Sequence, residues 1–166
     1  MNATAKRGRP KMPAKATSPK SVAHAFVRAI NERDVGKIEK LMADDHRFID
    51  SLGAVMQGKT RMREGWAAYF RVVPDYAITI EETFSNGATV FMLGVAGGTY
   101  TSDGQLRPEN SWKTPAAWRA QIKGNKVAEW RVYADNEPIR QRMAKPSERL
   151  AECRSKNSAR SESGTD

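Results

Sequence analysis

Val22, Ala25, Phe26, Ala29 and Ile30 recur at intervals of three and four, the spacing that gathers apolar side chains on one helix face. Ser18-Pro19 supplies the start, a hydroxyl cap followed by a residue whose fixed φ suits the first helical position. Asp34 can cap a second helix with Val35, Ile38, Leu41 and Met42 inward, and "ADDH", residues 43–46, ends it. Residues 46–52 then follow a period of two, with Phe48, Asp50 and Leu52 on one face and Arg47, Ile49 and Ser51 on the other. Thr60 can cap a third helix whose inner stripe is Met62, Trp66, Tyr69, Phe70 and Val73.

Beyond Val73 the pattern is that of strands. Residues 76–84 alternate with Tyr76, Ile78 and Ile80 together, and "SNGAT" carries an Asn-Gly turn signal. Residues 89–101 are interrupted by Gly94, Gly97 and Gly98, which permit a bend. After a second turn at "SDGQ", Ala116, Trp118, Ala120 and Ile122 alternate with Ala117, Arg119, Gln121 and Lys123. "KGNK" turns the chain into a last strand with Ala128, Trp130, Val132 and Ala134 on one face and Glu129, Arg131, Tyr133 and Asp135 on the other. Strands joined by tight turns are antiparallel. The order α-α-β-α-β-β-β-β predicts an α+β fold: a curved antiparallel sheet wrapped round helices to form a cone with an internal pocket.

Charge divides the chain of 166 residues. Residues 1–20 carry six basic side chains and no acid, whereas 21–143 hold 17 basic and 15 acidic ones. The predicted organisation is a disordered basic tail over 1–17, a cone domain over 18–143 and a disordered polar tail over 144–166. No apolar run approaches a membrane span, and no secretory h-region follows the basic start. The single cysteine, Cys153, cannot form an internal disulfide. His24 and His46 lack ligand-type partners at useful spacing, so neither metal nor cofactor is expected, and a reducing cytoplasm is the expected compartment.

The element order and the run "FVRAINERDVGKIEKLMADDHRFIDSLGAVMQGKTRMREGW" resemble the nuclear transport factor 2-like superfamily, which includes ketosteroid isomerase, limonene epoxide hydrolase and the SnoaL-like polyketide cyclases. The likeness spans about residues 21–140 and is specific for the fold. Asp50 falls where the isomerases keep a general-base aspartate. Phe26 stands where they have an oxyanion tyrosine, and Trp118 near their second acid. Val132 stands at the catalytic aspartate of the epoxide hydrolases, with Ala116 and Trp118 near their arginine and second aspartate. The usual oxyanion donors and the epoxide-hydrolase triad are thus replaced. The SnoaL-like group is the nearest general likeness and implies an acid/base carboxylate acting on a bound organic molecule.

Asp50 is accordingly the candidate catalytic residue, since a carboxylate in an apolar cavity becomes a stronger base. The candidate pocket comprises Phe26, Phe48, Trp66, Tyr69, Phe70, Trp118, Trp130 and Val132. "KRGRPKMP", residues 6–13, resembles an AT-hook; Arg7, Gly8, Arg9, Pro10 and Lys11 are its candidate minor-groove contacts. The expected partners are a small apolar ligand, a second copy of the chain and, through residues 6–11, nucleic acid. Three readings stay open: a ligand binder with acid/base turnover at Asp50, a non-catalytic ligand-binding or dimerisation module, and a DNA-associated protein using the tail. The run "RPENSWKTP" leaves Glu109, Asn110 and Trp112 without an assigned face.

Overall fold

The first helix, α1 (Pro19–Asn31), begins at Ser18, whose side chain accepts the Ser21 N–H. It buries Val22, Phe26, Val27 and Ile30. Asp34 caps α2 (Val35–Leu41) by accepting the Lys37 N–H at 2.9 Å. There follow β1 (Met42–Ile49), β2 (Val55–Gln57), α3 (Lys59–Val72), β3 (Ala77–Asn86), β4 (Thr89–Thr99), a 3-10 turn at Pro108–Asn110, β5 (Ser111–Lys123) and β6 (Lys126–Ala134). This is a computed structural model in which residues 17–143 are described; helical backbone returns at 137–143.

The six strands form one sheet in the order β2-β1-β6-β5-β4-β3, with helices packed against its inner face. The α+β cone is thus the observed architecture. The sheet is mixed: β1 runs parallel to β6, and the other neighbours are antiparallel. The short β2 is an element that the alternation pattern did not indicate. β1 ends at Ile49, so residues 50–52 belong to a turn, and Leu52 is 75% exposed. "ADDH" lies inside β1 at a register irregularity between Met42 and Arg47, where extra residues bulge from the ladder. Helix α3 starts after Gly58, not at Thr60; Gly58 has φ +99°, a conformation that favours glycine.

Two bulges set which side chains face inward. One in β6 shifts the register at Gln121/Ile122, so Val127 is fully buried in place of Ala128, and Trp130 then resumes the inner row. Another in β3 falls between Ile80 and Glu82, opposite Gly94. A Cβ at Gly94 would stand 1.9 Å from the Thr79 carbonyl oxygen, so only glycine fits there. Near the C-terminal end of β4, a Cβ on Gly98 would meet Val73 Cγ1 at 2.4 Å. These close approaches let the edge of the sheet fold over the end of α3. Asn31 fastens that edge to α1, accepting the Ile78 N–H at 2.8 Å and donating to the Ile78 carbonyl at 2.9 Å.

Candidate functional site

Between α3 and the inner face of β1, β5 and β6 lies a cavity of about 290 Å³. Helix α3 contributes Met62, Gly65, Trp66 and Tyr69, one turn-spaced stripe. The sheet contributes Phe48, Ala96, Trp112, Thr114, Trp130, Val132 and Ala134. Tyr76 enters from the segment before β3, Met56 from β2, and Asn136 and Ile139 from the C-terminal segment.

Asp50 and Ser51 reach this cavity from the turn after β1. Asp50 Oδ1 accepts the N–H groups of Leu52 and Ala54, both at 2.9 Å. Its backbone N–H donates to Ala54, and its carbonyl accepts from Gly53. The side chain therefore closes the β1–β2 turn, as short acidic side chains do, and the same bonds orient the carboxylate. Oδ2 takes neither of them. The turn role and the cavity position are thus two properties of one residue.

Of the other expected pocket residues, Phe48, Trp66, Tyr69, Trp130 and Val132 line the cavity, whereas Phe26, Phe70 and Trp118 do not. Phe26 is fully buried against Trp130, with ring centroids 5.0 Å apart, and Trp130 takes the wall position. Phe70 stacks behind Trp66 at 5.3 Å. Trp118 is wholly enclosed in the core beside Met92 and Val132 in the sheet register. The tail residues Arg7, Gly8, Arg9, Pro10 and Lys11 lie outside the described residues.

Trp112 and Thr114 are wall residues that the sequence left unplaced or unnamed. They continue the inward row of Ala116 and Trp118 through Pro115, which masked the alternation. Proline is tolerated there because it lies beyond the last β5–β6 pair, Ala116–Ala134. Glu109 is exposed on the 3-10 turn, away from the cavity. Met56, Ala96, Asn136 and Ile139 carried no local signal, because their inward position follows from tertiary packing alone.

Tyr69 and Tyr76 meet edge to face at 5.1 Å and 81°. Desolvation holds both phenols well above the ordinary tyrosine range, and for Tyr69 the neighbouring Tyr76 adds to the effect. Both therefore stay protonated and neutral at physiological pH. The Ser51 hydroxyl and the indole N–H groups of Trp66 and Trp112 are buried without a protein hydrogen-bond partner among the described residues. No group of three or more metal-ligating side chains occurs among those residues. No helix described is long and apolar enough to cross a membrane.

The sequence profile of the SnoaL-like domain matches residues 23–135. The chain belongs to the SnoaL-like domain family. Solved structures share the fold. A hypothetical protein with a ketosteroid isomerase-like fold from Catenulispora acidiphila, in complex with trimethylamine, has a TM-score of 0.64 at 20% identity, covering 74% of this chain and 91% of that one. A candidate SnoaL-like polyketide cyclase from Shewanella denitrificans gives 0.66 at 16% identity, covering 76% and 97%. IdmH, a candidate polyketide cyclase from Streptomyces antibioticus, gives 0.64 at 16% identity, covering 77% and 99%. No curated protein sequence matches. At these identities the structural likeness of this SnoaL-like domain concerns its fold alone.

Proposed function

We propose that this SnoaL-like domain binds a small, largely apolar organic molecule in the cavity and that Asp50 is its acid/base group. The observation that carries the reading is the placement of one oriented carboxylate in a wall otherwise built mainly from aromatic and aliphatic side chains. Such a cavity offers mainly apolar contact area, with a small set of polar groups to fix a ligand's orientation. Asp50 Oδ2 can accept a proton from a bound carbon or hydroxyl acid. The neutral hydroxyls of Tyr69 and Tyr76 can donate to oxygen that gains negative charge, the role of the absent family donors. Asp50→Asn keeps the Oδ1 turn acceptor and removes the base. Turnover of any substrate found for the domain should fall by at least about a hundredfold, while melting temperature and binding of an uncharged apolar dye are unchanged. Retained turnover in that variant overturns the assignment.

A second reading, a non-catalytic ligand-binding and dimerisation module, is favoured by the outer sheet face. There Phe84, Phe91 and Leu93 are 53%, 42% and 41% exposed. A dimer that binds ligand but turns none of it over, in the wild type as in Asp50→Asn, would support it.

A further inference from the structure

Among the described residues the cavity wall carries a single acidic side chain, in a chain whose formal net charge is +9. Six aromatic residues line it, together with Asp50, and among the described residues no lysine, arginine or histidine does. The rings meet at steep angles. Tyr69 stands at 78° to Trp66 and 81° to Tyr76, making a corner of two walls. Tyr76 continues to Trp112 at 6.2 Å. Ring faces carry the negative part of the aromatic quadrupole, and their attraction for a cation is strongest where water is excluded.

We propose that the cavity of this domain selects small organic cations, specifically tertiary or quaternary ammonium groups bearing apolar substituents. The proposal rests on the ligand-binding reading above and names its ligand class. Aromatic faces and the polarisable thioethers of Met56 and Met62 surround the alkyl groups, and the Asp50 carboxylate supplies the counter-charge. A primary ammonium carries three N–H donors, each of which must find an acceptor in the wall because an unsatisfied donor is costly when buried. A quaternary ammonium has no donor to satisfy. An anion would meet the Asp50 carboxylate, and among the described residues no lysine, arginine or histidine lines the cavity to offset that repulsion.

Choline and its uncharged isostere 3,3-dimethylbutan-1-ol, in which carbon replaces the ammonium nitrogen, separate charge from shape. Titration of the full chain by calorimetry, followed in parallel by the fluorescence of the wall residues Trp66, Trp112 and Trp130, reads occupancy directly. Choline should bind about tenfold tighter than the alcohol. Asp50→Asn should weaken choline about tenfold and leave the alcohol unchanged, and Tyr69→Leu should weaken choline more than the alcohol. Equal binding of the two ligands, or tighter binding of the alcohol, overturns the cation assignment and leaves the apolar-ligand reading standing. Binding of neither overturns both.

Discussion

His46 is fully buried on β1, with Nδ1 2.7 Å from the Val127 carbonyl oxygen. A carbonyl only accepts, so Nδ1 carries the proton and Nε2 is the bare nitrogen, buried without a partner among the described residues. Burial lowers the His46 pKa below its ordinary value, outweighing the opposing pull of the Val127 carbonyl, Asp45 and Glu129. An unfolded chain takes up this proton near pH 6.5, the folded one only at lower pH. Between those two values the unfolded state binds more protons, so folding stability falls as the pH drops below about 6.5. The limiting slope for one proton is about 1.4 kcal/mol per pH unit. Denaturant unfolding at pH 7.5 and 5.5 should show the loss, and His46→Gln should flatten it; equal slopes in both proteins would rule it out. Asp50 makes a different point at this scale. Its inward alternation with Phe48 was legible, and both residues are among those that line the cavity. The strand continuing to Leu52 was not, because an Asp with glycine three residues on closes a turn by side-chain bonds that a period-two pattern ignores.

Element positions were legible wherever a local period reported burial. Helix α1, the Asp34 cap of α2 and the four strands after α3 all follow from spacing and turn residues. The pairing was not, since β1 joins β6 across some eighty residues and does so in parallel, a long-range choice that no window contains. Bulges escaped for a similar reason: each inserts a residue opposite a partner strand and flips the parity, as Val127 and Ala128 show. Gly94 records the bulge in β3 from the other side. A methyl group there would overlap the Thr79 carbonyl at 1.9 Å, and both are backbone-fixed. Gly94→Ala should therefore cost about 1–3 kcal/mol, the usual range for overpacking. A shift in the denaturant midpoint measures it; an unchanged midpoint would mean that the β3–β4 edge yields without strain. Because β3 is an edge strand tied to α1 through Asn31, the loss should be accompanied by faster hydrogen exchange at Ile78.

At the scale of the molecule, the sheet has one face on the helices and one face open. The register lays Phe84 beside Phe91, and Leu93 beside Ala117 and then Tyr133, so their exposed side chains form a continuous outer band. Beside it, Glu129 bridges Arg119 at 2.7 Å and Arg47 at 3.5 Å. Sequence alternation had singled out Arg119, Gln121, Glu129, Arg131 and Tyr133 on this face, but not the apolar band. Phe91 and Leu93 lie among glycines and valines that resemble a core strand, and their phase is set by the β3–β4 pairing. An exposed aromatic and aliphatic band with a charged flank suits an isologous interface, where the same patch meets its twofold copy. We expect a homodimer through this face, with roughly 800 Å² buried per subunit for a stable pair. Sedimentation equilibrium at micromolar concentration should give twice the chain mass. Phe91→Asp with Leu93→Asp places two carboxylates in the band and should return the mass to that of a monomer. Circular dichroism and cavity binding should be unchanged in that variant, because neither residue lines the cavity. A monomeric wild type would remove the dimer; a dimer that survives both substitutions would move it to another surface.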